Sequence, residues 1–156
     1  MVEARSQTAE EKRYFRVPIA IEDAEVLEER LRDLPYFYEA AHAGGLIKLS
    51  PEDLVTVSIH RRLAEAIDRE QQDGTCSVDL TCEELDILGS YFLNKITMRS
   101  RFRPDAGIGL IFKEELPRWE KEDQRLTGAF CELNQQFVLA GGKGTNYFEA
   151  FLNFVR

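Results

Sequence analysis

Ile47-Lys48-Leu49-Ser50-Pro51-Glu52-Asp53-Leu54 and, 31 positions later, Val78-Asp79-Leu80-Thr81-Cys82-Glu83-Glu84-Leu85 follow one pattern. Each runs from a short apolar segment through a hydroxyl residue and acids to what reads as the first core leucine of a helix. In the second copy Thr81 and Glu84 have the spacing of a capping box, and Leu80 and Leu85 the spacing of a hydrophobic staple. In the first, Pro51 falls at the opening helical position, where a missing N–H costs nothing, and Leu49 is set to staple to Leu54. The acids suit the positive end of the helix dipole. Two helix starts are therefore predicted, each preceded by a strand-like segment. Two copies do not make a solenoid, which needs at least about three stacked units. Capped starts are common, so the similarity reads as coincidence rather than duplication.

Working outward, Val55, Ile59, Leu63 and Ile67 continue the first helix to Asp68, and Gln71-Gln72-Asp73-Gly74 makes a solvated turn. Leu85, Leu88, Phe92 and Ile96 form the buried stripe of the second, which ends near Arg99 to Arg103 with Pro104 behind. Upstream, Tyr14 to Ile21 alternates, with Phe15, Val17, Ile19 and Ile21 on one face; Pro18 restricts such a strand to an edge. Glu22 to Leu34 reads as a helix ended by Pro35. Tyr36 to Gly45 fits a short helix or an ordered loop, and Gly107 to Phe112 a strand or a helical turn. Pro117 opens a further helix with Trp119, Leu126, Phe130, Leu133 and Phe137 on one face. Ala140-Gly141-Gly142-Lys143-Gly144 breaks it, and Tyr147 to Val155 forms a short aromatic closing helix. The fold class expected is α+β and predominantly helical. It has four or five helices and at most a small two- or three-stranded sheet from residues 14–21, 46–49 and 77–80. Residues 1–12 read as a polar N-terminal tail and 13–156 as a single globular domain.

The chain has 156 residues, 44% hydrophobic and 31% charged, enough to bury a core without staples. A net charge of −8 weighs against nucleic acid and anionic membranes, since both need clustered cations. No apolar run approaches the ~20 residues of a membrane span. The first twelve residues carry no apolar stretch that would serve as a secretion signal. Cys76, Cys82 and Cys131 form neither an even set nor a C-x-x-C pair. A cytoplasmic setting with reduced thiols is the expectation.

The search for chemistry returns little. Gly141-Gly142-Lys143-Gly144-Thr145 resembles the end of a phosphate-binding loop. However, Phe137 stands where that loop needs its first glycine, and a helix rather than a strand precedes it; a helix cap and turn is the better reading. Arg99, Arg101 and Arg103 are the best local cation cluster and the candidate anion-binding residues, with Lys95 and Arg61-Arg62 as possible neighbours. His42 and His60 show no metal-binding spacing, and Cys76 and Cys82 no zinc-knuckle spacing. Cys82, in a first helical turn, is the most plausible reactive thiol, with no base assigned to it; Cys131 beside Phe130 reads as inert. Glu83-Glu84 and Glu114-Glu115 are adjacent and so diverge on a helix, which suits solvated caps better than a catalytic dyad. Tyr147, Phe148, Phe151, Leu152 and Val155 form an aromatic stripe that could pack on the core or contact a partner.

The functional expectation is a non-catalytic cytoplasmic protein–protein interaction domain, regulator or assembly factor. It would self-associate and bind a protein partner for which a basic surface would be complementary. No catalytic residue, cofactor or metal is assigned. The alternative is a small anionic-ligand binder or enzyme built around Arg99–Arg103, and a weaker one a nucleic-acid-binding regulator using the same arginines.

Overall fold

Strict alternation of apolar and polar residues places one face of an antiparallel strand pair in the core. In the computed structural model, β1 (Phe15–Ala20) pairs antiparallel with β2 (Thr75–Leu80). The register sets Phe15 opposite Leu80, Val17 opposite Val78 and Ile19 opposite Cys76, and all six are buried. Arg16 and Asp79, opposite in charge, are partners on the exposed face. The structure describes residues 13–32, 50–69, 73–101 and 116–155, with the backbone alone for 97–101, 116, 154 and 155. Met1 to Lys12, the candidate strand at 46–49, Leu49, Tyr36 to Gly45, His42, Arg103, Gly107 to Phe112 and Glu114-Glu115 lie outside the described residues, as do the side chains of Arg99, Arg101 and Val155.

Among the described residues five helices accompany the sheet: α1 (Ile21–Leu31), α2 (Pro51–Arg69), α3 (Cys82–Arg101), α4 (Leu116–Leu139) and α5 (Phe148–Val155). The expected α+β, predominantly helical class is the observed one. Ile21 does not extend the strand as the alternation suggested. It begins α1, and its N–H bonds the Gly74 carbonyl at 2.9 Å, so the turn before β2 supplies the acceptor the alanine at the helix entry cannot. Among the described residues no helix is long and apolar enough to cross a membrane.

Both capped starts exist, and each is a reciprocal pair of hydrogen bonds. The Thr81 hydroxyl accepts the Glu84 N–H at 3.1 Å, while the Glu84 carboxylate accepts the Thr81 N–H at 2.9 Å. At α2 the Ser50 hydroxyl accepts the Asp53 N–H and the Asp53 carboxylate accepts the Ser50 N–H, each at 3.2 Å. The leucines that follow then part ways. Leu85 is fully buried, whereas Leu54 is 49% exposed and is not the first core residue of its helix. The α2 stripe is Thr56, Ile59, Leu63 and Ala66, with Val55 and Ile67 only packed against its margin. A helix of 3.6 residues per turn drifts off a strict four-residue repeat, so the ends of that repeat rotate out of the seam.

α4 runs through the centre and touches β1, α1, α3 and α5. Its buried face carries Leu126, Phe130, Leu133 and Phe137 as expected from the periodicity, while Trp119, expected on the same face, is only half-buried. Phe137 meets Phe15 edge-on at 5.1 Å, and Phe130 joins Phe92 at 5.7 Å and Phe151 at 4.6 Å between ring centroids. Those rings link the sheet, α3, α4 and α5 into one apolar cluster.

Candidate functional site

The helix starts of the two copies of the opening pattern line one cleft. The first turns of α2 and α3, together with the loop between α4 and α5, enclose an open cleft of about 1020 Å³. Glu52, Asp53 and Thr56 line it from α2. Cys82, Glu83 and Asp86, then Ser90 and Tyr91, line it from α3, and Lys143, Asn146 and Tyr147 from the loop. Among the described residues four carboxylates therefore face the volume against one lysine. Two helix N-termini, which on their own would favour anions, are here covered by their own acids: Asp53 is held in the α2 cap, and Glu52 and Glu83 stand exposed beside it. The resulting surface suits a cation.

The glycine-rich loop forms one wall and is ordered by hydrogen bonds around Asp86. The Thr145 hydroxyl donates to Asp86 Oδ1 at 3.0 Å, the Asn146 backbone N–H to the same oxygen at 2.9 Å, and Asn146 Nδ2 to Oδ2 at 3.1 Å. On the other side, buried Asn134 of α4 accepts the Thr145 N–H at 2.6 Å. Left-handed backbone at Gly141 (φ 110°) and Gly144 (φ 80°) bends the chain into this course, which other residues rarely adopt. The loop also lies so close to α3 that a Cβ on Gly89 would sit 3.0 Å from the Thr145 hydroxyl. In the stretch that resembles a phosphate loop, the Gly141 and Gly142 N–H groups thus cap α4 on the Val138 and Phe137 carbonyls, and the Thr145 hydroxyl bonds a carboxylate of its own chain.

Arg62 is committed elsewhere. Its guanidinium takes both carboxylate oxygens of Glu84, donates to the Asp79 carbonyl at 2.7 Å and lies over the Tyr14 ring at 5.7 Å. The hydrogen bond to Glu84 raises the Arg62 pKa further, although burial opposes it. Arg62 is therefore a bracket between α2, β2 and α3 rather than part of an arginine anion site. Of that candidate site, Arg99 and Arg101 lie on the last turn of α3, and their side chains are outside the described residues. Lys95, one turn earlier, sits over the Tyr91 ring at 5.4 Å.

His60 does not approach Cys82. Its Nε2 lies 3.2 Å from Glu28 Oε1 on α1, whose carboxylate also accepts from Arg32 at 2.7 Å. Burial acts to raise the Glu28 pKa, but the hydrogen bonds and charges of Arg32 and His60 outweigh it and hold the carboxyl below its usual range. Cys82 lines the cleft half-buried, and no histidine is among the described residues that line it. Burial pushes the Cys131 thiol up, in keeping with an unreactive side chain. Among the described residues no three His, Cys, Asp or Glu side chains converge as ligands for a metal ion.

The aromatic stripe of α5 divides. Phe151 is fully buried against Phe130, so its ring is not on the surface of this chain. Phe148 and Leu152 are half-buried, and Tyr147, at 36% exposure, lines the cleft. The residues that sequence reasoning missed are Glu52, Asp53, Asp86, Asn134 and Thr145. Asn134 left a trace: it lies four residues after Phe130, on an otherwise apolar stripe, where a polar residue calls for a buried partner. No protein-family model matches the chain, and no curated protein and no solved structure does so either.

Proposed function

We propose that this chain is a non-catalytic binding domain that receives a basic segment of a protein partner in the cleft between the starts of α2 and α3. The observation that carries the reading is the lining itself, where among the described residues Glu52, Asp53, Glu83 and Asp86 are set against Lys143. Glu52 and Glu83 are exposed, so a lysine or arginine entering the cleft would meet carboxylates that have kept their hydration and need little desolvation to respond. Tyr147 adds an aromatic face suited to a cation. The volume fits a few extended side chains, and its polar, open character suits a peptide better than a small apolar ligand. A regulatory or assembly role in the cytoplasm, with self-association, completes the proposal. The exposed Val138 and Leu139 at the end of α4 offer apolar surface for the latter.

Fluorescence anisotropy with labelled hexalysine tests the reading. Binding should weaken steeply with salt and fall at least about tenfold, or about 1.4 kcal/mol, in the Glu52→Lys, Glu83→Lys double variant. Hexalysine binding that survives this charge reversal would exclude the cleft as the contact surface. Affinity capture from native lysate with the same pair of proteins then identifies the natural partner.

A further inference from the structure

Among the described residues β2 pairs with β1 on one side and with no strand on the other. The register shows which backbone groups that second edge presents. Pro18 has no N–H, so its partner Ser77 fits a place in the ladder where the two residues do not bond each other. The bond from the Ile21 N–H to the Gly74 carbonyl continues the same alternation. Phe15, Val17 and Ile19 therefore make the ladder bonds, while Thr75, Ser77 and Asp79 turn their backbone groups outward. Two of these groups are taken: the Thr75 N–H by Asp73 Oδ1 at 3.2 Å, and the Asp79 carbonyl by Arg62 at 2.7 Å. The Thr75 carbonyl, the Ser77 N–H and carbonyl, and the Asp79 N–H have no partner among the described residues. Ser77 and Asp79 are exposed, and the shallow cavity of about 170 Å³ beside them is lined by Arg16, Arg69 and Glu65, a flank of mixed charge.

We infer that a second copy of this chain pairs with this edge, β2 against β2 and antiparallel, about a two-fold axis at Ser77. The open groups are complementary to themselves under that operation. Each Ser77 N–H meets the Ser77 carbonyl of the other copy, and each Asp79 N–H meets the Thr75 carbonyl, so every open group is used. The groups already taken, the Thr75 N–H and the Asp79 carbonyl, are the ones that would otherwise face each other, so Asp73 and Arg62 bound the ladder at its ends and strand neither. On the outer face the Thr75 hydroxyl stands opposite the Asp79 carboxylate of the other copy, a donor against an acceptor. The mixed charge of Arg16, Arg69, Glu65 and Asp79 suits a copy bearing the same mixture better than a peptide of one sign. Pro18 leaves the outward edge of β1 without a donor at its middle, so the assembly closes in the order β1-β2-β2-β1 and does not run on into a fibre. This gives the self-association proposed above its surface and rests on that part of the reading alone. A ladder this short buries little area, which places the dimer among weak, transient associations.

Sedimentation equilibrium of the full-length protein from ~5 to ~500 μM tests the pairing and should show a monomer–dimer equilibrium. Ser77→Pro deletes the outward N–H while leaving the ladder bonds of Cys76 and Val78 in place. Ser77→Lys keeps the backbone and sets two ammonium groups side by side at the axis, on an exposed position where the fold tolerates the change. Each should weaken association at least about tenfold, with an unchanged urea midpoint showing that the lysine variant is folded. Leu139→Lys, at the other exposed surface, should leave the dimer as it is. A folded Ser77→Lys protein that dimerises as tightly as the wild type, or a dimer lost in Leu139→Lys, overturns the edge pairing and leaves self-association standing. A wild type that stays monomeric throughout overturns both. Hexalysine binding in the cleft is decided separately by its own variants.

Discussion

Replacing Glu84 by alanine removes one residue from two jobs, and the cost can be worked out from its contacts. Glu84 is buried at the start of α3, where its carboxylate accepts the N–H of Thr81, itself buried, at 2.9 Å. Without it that N–H has no acceptor, which costs about 1–3 kcal/mol for a buried backbone donor. The Thr81 hydroxyl still accepts the Glu84 backbone N–H, so the ordinary cap contribution is retained. Arg62 loses its two-pronged partner but keeps the Asp79 carbonyl at 2.7 Å, the Ser58 hydroxyl and access to solvent. A half-buried pair with that much compensation contributes nearer ~1 kcal/mol than the 3–5 of a dry one. Glu84→Ala should therefore cost about 3 kcal/mol, and Glu84→Gln, which keeps an acceptor for Thr81, about 1 kcal/mol. Urea titration at neutral pH measures both, provided the slope of the transition is unchanged. A double-mutant cycle with Arg62→Met should return a coupling of ~1 kcal/mol. If Glu84→Gln costs as much as Glu84→Ala, the loss comes from charge alone and the reasoning from the Thr81 hydrogen bond is wrong.

The glycines of α4 and the loop after it predict opposite signs. Gly128 has nothing within 4 Å of an added Cβ and lies exposed in a helix interior, so Gly128→Ala should stabilise by about 0.5–1 kcal/mol in the same titration. Gly142→Ala would drive its Cβ into the ring of buried Phe137 and should cost about 1–3 kcal/mol or more. Phe151→Ala should cost about 3–5 kcal/mol through the cavity beside Phe130, so docking at α5 is better probed at the exposed Glu149 or Asn153. Two carboxyls predict opposite pH responses. Glu28, with its pKa lowered in the fold, contributes stability that is present above the ordinary carboxylate range and lost as pH falls through its depressed value, and Glu28→Gln should abolish that limb. Asp23 is raised, first by burial and then by Glu132 and Glu22, so its contribution is present at low pH and lost as pH rises through the raised value; Asp23→Asn should stabilise the protein at neutral pH. Urea midpoints measured across pH check both.

Much of the architecture was legible because it depends on neighbours within one or two turns. Thr81 and Glu84 satisfy each other's backbone groups whatever the rest of the chain does, and Ser50 and Asp53 do the same. The stripe Leu85, Leu88, Phe92 and Ile96 and the face Leu126, Phe130, Leu133 and Phe137 follow from helical period, and the β1 alternation from strand period. The sequence alone thus determined the two capped helix starts, the buried faces of α3 and α4, and that the class is α+β with helix predominant.

Tertiary structure decided which of those faces meet. Leu54 and Leu85 occupy matching places in matching local patterns, yet one is exposed and the other buried, because burial depends on what stands opposite. The cleft arose the same way: Glu52 with Asp53 and Glu83 with Asp86 belong to separate helices, and only the packing of α2 beside α3 turns two helix starts into one acidic surface. Asp86 and Thr145, 59 positions apart, are joined by a hydrogen bond that no periodicity encodes. Caps and stripes are short-range chemistry, set by a few covalently linked neighbours, whereas a site is a long-range coincidence of side chains that exists only after the core has brought distant turns together.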